Sequence, residues 1–315
     1  MTLLHLGCLG VSAHPEPVLA TADPPLRWRT MTSRIVISGP ATWNRIVYLD
    51  QLPEPVPHMQ FALEDYETVG GTSAGKALGL TALGRPVLLH TLIGDDADGA
   101  LVRRALEASG VELSNLPADR TERHLNLMTR AGERVSLYLS TAGDPGTSPS
   151  PELEQAMGDA PAIVLDLSER SRGLIAAARA AGRPIWTDIH DYDGSAEFHR
   201  PFIEAADWIF LSDDRIGDDP WPFMEERVRG GASVVVCTRG ARGAIAVDER
   251  MHRTEVAAEP VEVLDTNGAG DAFLAGVLDA HLAGAALPEA LEAGARHAAT
   301  VLTTRHLHPV LDGVL

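Results

Sequence analysis

The chain has 315 residues, 45% of them hydrophobic, enough to bury a full core in one large domain or one domain with a small appendage. Its 44 acidic residues against 26 basic ones give a formal charge of -18, which repels nucleic acid and anionic lipid and argues against either as a partner. No run of about 18 apolar residues could span a membrane, and Cys8 and Cys237 follow no metal spacing, which points to a reducing, cytoplasmic setting.

Residues 1–30 read as a leader. Met1 to Ala20 is mildly apolar, lacks a basic n-region and carries His14, Pro15 and Pro17, a poor fit to a signal peptide. The leader is expected to be disordered or to come from an upstream start codon. The folded domain, 31–315, should begin near Met31, because Arg34-Ile35-Val36-Ile37-Ser38 follows at once as a first strand. From Pro86 onward, short β-branched runs at 87–90, 162–165, 184–187, 208–211 and 233–237 read as strands. Amphipathic stretches near 74–83, 99–108, 169–181, 271–283 and 287–303 read as helices, with Gly, Asp and Pro between. This is the pattern of an α/β fold, a three-layer α/β/α sandwich around a parallel sheet.

Two segments alternate with a period of two instead. They are Arg45-Ile46-Val47-Tyr48-Leu49, and His124 to Thr129 with its return Arg134 to Leu139 across the turn Arg130-Ala131-Gly132-Glu133. Strands near 45–62 and 123–140 therefore predict a small second sheet, either a lid over a site or a plain edge hairpin.

The stretch Asp265-Thr266-Asn267-Gly268-Ala269-Gly270-Asp271-Ala272-Phe273 leads into Leu274, Val277, Leu278 and Leu282 at helical spacing, a glycine turn opening a helix. Free amides at Ala269, Gly270 and Asp271 at the positive end of the helix dipole can hold an anion, and the glycines let the backbone approach it closely. A carboxylate at the same turn can take the proton of a hydroxyl that attacks a phosphoryl group. Alternatively, Asp271 only complements the helix dipole.

This run resembles the D-T-x-G-A-G-D-x-F segment of the ribokinase-like (PfkB-type) carbohydrate kinases. The resemblance implies a ribokinase-like fold with a small β lid, an anion hole at Gly268, Ala269 and Gly270, and Asp271 as catalytic base. Gly70-Gly71-Thr72-Ser73-Ala74-Gly75-Lys76-Ala77 is similar to the family's G-G-x-x-x-N-x-A segment, implying substrate contacts at Gly70, Gly71 and position 75, although Gly75 stands where the family has Asn. Gly94-Asp95-Asp96 matches a turn before a helix, with the two aspartates as cap and turn residues. Val234 to Ala244 is similar to the strand-T-x-G-x-x-G nucleotide loop. It implies ATP contacts at Thr238, Gly240 and Gly243, with Arg239 or Arg242 steadying phosphates, and His297 on the last helix is the candidate for the base.

Other positions depart from the family. Thr42 and Asn44 follow Gly39 where an Asp normally binds substrate hydroxyls, and Asn cannot act as a charged acceptor. Ser212-Asp213-Asp214-Arg215 replaces the N-x-x-E segment associated with Mg²⁺, leaving Asp213 or Asp214 as metal candidates. The loop Arg305 to Pro309 lacks the glycine expected beside the family's monovalent-cation site, although the resemblance allows such a cation. The resemblance thus implies an ATP- and Mg²⁺-dependent phosphotransferase acting on a small-molecule hydroxyl, with a furanose or hexose as first choice. A nucleoside is the second, kept open by Trp43 and Tyr48, and a catalytically weakened binding protein on the same fold is the rival. A homodimer through the lid strands is the assembly that relatives suggest.

Overall fold

Alternation of side chains in β1 (Ile35–Ser38) sends Ile35 and Ile37 into one apolar layer and Val36 into another. A strand buried on both faces belongs in the middle of a helix-covered sheet. The computed structural model describes residues 33–315, so the leader expected over 1–30 lies outside the described residues.

After β1 come β2 (Thr42–Leu49), β3 (Glu64–Gly70), α1 (Thr72–Ala82), β4 (Val87–Gly94), α2 (Ala97–Ala108), β5 (Glu112–Ala118), β6 (Arg123–Thr129) and β7 (Arg134–Ser140). The chain continues through α3 (Pro151–Asp159), β8 (Ile163–Leu165), α4 (Glu169–Ala181), β9 (Ile185–Asp188), α5 (Arg200–Ala205), β10 (Trp208–Ser212) and α6 (Trp221–Arg229). It ends with β11 (Val234–Thr238), β12 (Ala244–Asp248), β13 (Arg253–Val256), α7 (Ala269–Leu282) and α8 (Leu287–Val301). Nine strands form the main sheet in the order β13-β12-β11-β10-β9-β8-β1-β4-β5. It is parallel from β5 to β11, and β12 and β13 add antiparallel strands at one edge.

Residues of α1, α2, α7 and α8 pack on one face of this sheet, and those of α3, α4, α5 and α6 pack on the other, which gives the three-layer sandwich. From β1 the chain builds outward in opposite directions, to β4 and β5 on one side and to β8 through β11 on the other. Such a reversal opens a crevice at the carboxyl ends of the strands, where ligands bind in open α/β sheets. Ser38, Leu165 and Asp188 end β1, β8 and β9 at that point.

The second sheet has four strands in the order β3-β2-β6-β7, and its β6–β7 hairpin turns at Arg130 to Glu133. One expectation is corrected. Residues 50–62, placed inside a lid strand by the sequence reading, belong to a connection between β2 and β3, and β2 pairs with the later segments 64–70 and 123–129. The reading also missed β5, β12, β13, α3, α5 and α6. Asp96 does cap α2: its side chain accepts from the amide of Gly99 at 2.8 Å and from Thr121 Oγ1 at 2.6 Å.

Candidate active site

A cleft of about 1940 Å³ runs along the carboxyl ends of the main strands beneath the four-stranded sheet. At its centre, Gly268 adopts φ 80° and caps α7, a left-handed conformation that favours glycine. A helix leaves its first amides without intrahelical partners. The amides of Ala269, Gly270 and Asp271 therefore open α7 at the cleft, where all four residues contribute to the wall.

The surroundings of Asp271 were not foreseen. Lys76 on α1 is fully buried, and its Nζ lies 2.6 Å from Asp271 Oδ1, 3.1 Å from Asp166 Oδ1 and 3.4 Å from Asp188 Oδ2. Asp166 follows β8 and also accepts from Ser73 Oγ at 2.7 Å, while Asp188 ends β9 and lies 3.5 Å from His190 Nδ1. One cation thus faces three buried carboxylates. Burial pushes the Asp271 carboxyl up to about 6, with Lys76 pulling it down and Asp166 and Asp188 adding to the rise. For Lys76, burial pulls the ammonium down, but the carboxylates of Asp166, Asp271 and Asp188 reverse this and leave it raised. The Asp188 carboxyl is lowered: burial raises it, and His190 and Lys76 outweigh that effect.

Gly75 explains itself in this setting. A Cβ there would stand 2.8 Å from Asp271 Oδ2 and 2.9 Å from its Cβ, so α1 can approach the carboxylate only without a side chain at 75. Gly75→Ala is expected to lower kcat/KM about tenfold or more by displacing Asp271, even though alanine is the better helix former. Nucleotide affinity should be unchanged, and steady-state kinetics beside a nucleotide titration check both.

The four-stranded sheet is fastened to the same turn. Asp265 Oδ2 accepts from Tyr48 at 2.7 Å, the Tyr66 hydroxyl is shared between the same oxygen at 3.0 Å and the Arg305 carbonyl at 2.7 Å, and Asp265 Oδ1 accepts from the Asn267 amide at 2.7 Å. Arg134 donates to Asn267 Oδ1 at 3.1 Å. The Tyr48 hydroxyl donates to Asp265, Trp43 is buried in the core, and neither ring lines the cleft as a stacking face for a ligand.

Other expected residues sort by position. Asn44, Gly70 and Gly71 line one end of the cleft with His124, Asn126 and Arg170. Thr42 is fully buried and donates to Asn44 Oδ1 at 2.6 Å, holding that side chain rather than lining the wall. Thr238, Gly240 and Gly243 line the other end with Val261, Ala295 and Ala298, a more apolar surface. His297 does not join them. Its ring is buried beside Gly79 and lies 5.5 Å from the His308 ring, facing the helix layer. Arg239 and Arg242, the candidates for steadying phosphates, are paired with Glu255 and Asp213.

Asp213 and Asp214 reach the cleft but form no preformed cage. Arg242 holds Asp213, and Asp214 accepts from Ser212 Oγ at 2.8 Å. Among the described residues no group of three or more His, Cys, Asp or Glu side chains could hold a metal ion. The donor set fits a cation carried mainly by its own ligands and water, touched by a single carboxylate, and not a cation bound by protein alone.

A sequence profile described as "pfkB family carbohydrate kinase" matches residues 223–310, the span containing the glycine turn. The chain is 30% identical over 279 residues to the acarbose 7(IV)-phosphotransferase of an Actinoplanes species, covering 86% of this chain and 93% of that protein. Among solved structures, a microbiome-derived acarbose kinase superposes with a TM-score of 0.76 at 30% identity, covering 87% of this chain and 94% of the other. A ribokinase of Arabidopsis thaliana superposes with a TM-score of 0.74 at 19% identity over 90% and 98% of the two chains, a likeness of fold alone.

Proposed function

Because the chain belongs to the pfkB family of carbohydrate kinases, and so phosphorylates a hydroxyl of a sugar or sugar-like molecule with ATP, we propose that Asp271 is the general base of that transfer. The carrying observation is its place: a carboxylate in the first turn of α7, beside the amides of Ala269 and Gly270, at the middle of the cleft. The acceptor hydroxyl gives its proton to Asp271 as its oxygen attacks the γ-phosphorus, the bond from phosphorus to the bridging oxygen breaks, and ADP leaves. Ala269, Gly270 and the helix terminus stabilise the charge on the transferring group. Mg²⁺ bound with ATP would supply further neutralisation of the phosphates, and Asp214, which lines the cleft, would meet its water shell.

ATP takes the end of the cleft lined by Thr238, Gly240 and Gly243, and the acceptor takes the end lined by Asn44, Gly70 and Gly71. The acceptor reading extends to sugars of more than one ring. Pockets for one ligand usually measure about 300–1,000 Å³, and about 1940 Å³ leaves room for ATP beside a long acceptor. Asn126, whose Oδ1 has no partner within the protein, supplies a hydrogen-bonding group to that end of the cleft.

A coupled ADP-release assay over monosaccharides, acarbose and other oligosaccharides, and nucleosides tests this reading. We expect the highest kcat/KM on a sugar of several rings. Binding without ADP release on every acceptor would place the protein among catalytically weakened binders, and a preference for nucleosides would overturn the assignment to sugars.

A further inference from the structure

Three carboxylates and one ammonium meet at the cleft wall, Lys76 and Asp166 fully buried and Asp188 and Asp271 nearly so, and ions removed from water in this way cost several kcal/mol each unless they are paired. The arrangement is therefore informative about what Lys76 does. It reaches from α1, touches Asp271 with its shortest bond, and is fully buried, so solvent and substrate do not compete for it. Asp166 is fixed from a second side by Ser73 Oγ, and Asp188 by the amide of His190 at 2.9 Å. These contacts leave Asp271 as the carboxylate of the three that lies at the anion turn.

We propose that Lys76 is a positioning residue for the transfer: its ammonium holds Asp271 Oδ1 and offsets the charges of Asp166 and Asp188, so that Asp271 meets the acceptor as a carboxylate with Oδ2 as its proton-accepting oxygen. This inference rests on the reading of Asp271 as base. Lys76 keeps its own proton throughout, and the proton taken from the acceptor hydroxyl ends on Oδ2. Gly75 belongs to the same device, because the residue preceding Lys76 must be bare for α1 to bring the ammonium this close.

The groups facing Asp271 from each neighbouring element are Lys76 from α1, Asp166 from the end of β8 and Asp188 from β9. From α8, packed on the other side of α7, His297 turns to Gly79 and Gly276 instead. An opposite charge in contact moves a carboxyl pKa by about 1–3 units. Removing Lys76 should therefore move the Asp271 titration upward from near 6, and removing Asp188 should move it downward.

The test is a carboxyl ¹³C NMR titration of the full-length protein, with Asp271→Asn identifying the Asp271 signal, beside the pH profile of kcat/KM. Lys76→Met is expected to shift both the signal and the acid limb of the profile upward by about 1–3 pH units, with activity recovering at alkaline pH. Asp188→Asn is expected to shift both downward, and it supplies the test if Lys76→Met does not fold. A merely structural role predicts lower kcat at every pH with neither the signal nor the limb moved, and that result would overturn the proposal. If Asp271→Asn retains full turnover, the base assignment fails; if Asp271→Asn is inactive and the limb stays in place, the Lys76 proposal alone fails.

Discussion

Asp271→Asn is expected to lower kcat by about 10²–10⁴, the usual contribution of a positioned general base. The substitution keeps the volume, and the amide oxygen can still accept from Lys76, so the glycine turn and α7 should stay in place. What is lost is the capacity to take a proton. The contacts proposed for ATP, Thr238 and Gly243, are cleft residues apart from Asp271, so nucleotide affinity should change little. Steady-state kinetics with a direct nucleotide titration separates the two quantities. Normal turnover in this variant would remove Asp271 from the base role and leave the amides at the turn as the whole of the chemistry.

Lys76→Met should cost the fold about 3–5 kcal/mol, because it leaves Asp166, Asp188 and Asp271 buried without their cation. Urea unfolding followed by tryptophan fluorescence measures this directly, since Trp186 and Trp208 are stacked at 4.1 Å within the sheet. The sign also depends on pH. As the pH falls through the raised pKa of Asp271, that carboxylate gains a proton and the uncompensated charge shrinks, so the variant should recover part of its stability near pH 5 relative to pH 8. Replacing Lys76 and Asp166 together, by Met and Asn, should restore part of the loss. A loss under about 1 kcal/mol would mean that water or rearrangement reaches the cluster, against the burial described for it.

The glycine turn was legible because its function depends on local sequence: Gly268 needs a positive φ, and Asp271 follows it in one helical turn. The central strands of the main sheet were legible because strands buried on both faces are continuous apolar runs, as in Val234 to Cys237, whereas β5, β12 and β13 toward its edges were not. The charged cluster was not legible, since Lys76, Asp166 and Asp188 lie on three elements that meet only after the sheet has formed. One signal did exist: Asp166 and Asp188 each stand at the carboxyl end of a parallel strand beside the reversal of strand order, where an open α/β sheet collects its ligands. His297 was misplaced for the opposite reason. A helix presents several faces, and sequence position alone does not reveal that this histidine faces inward toward Gly79.

Tyr48 and Tyr66 come from the four-stranded sheet, yet both donate to Asp265 in the loop that supplies the anion turn. Lifting that sheet from the cleft must break both hydrogen bonds and loosen the backbone leading to Gly268. The placement of the four-stranded sheet and the order of the loop that carries Gly268 are thus one property and not two.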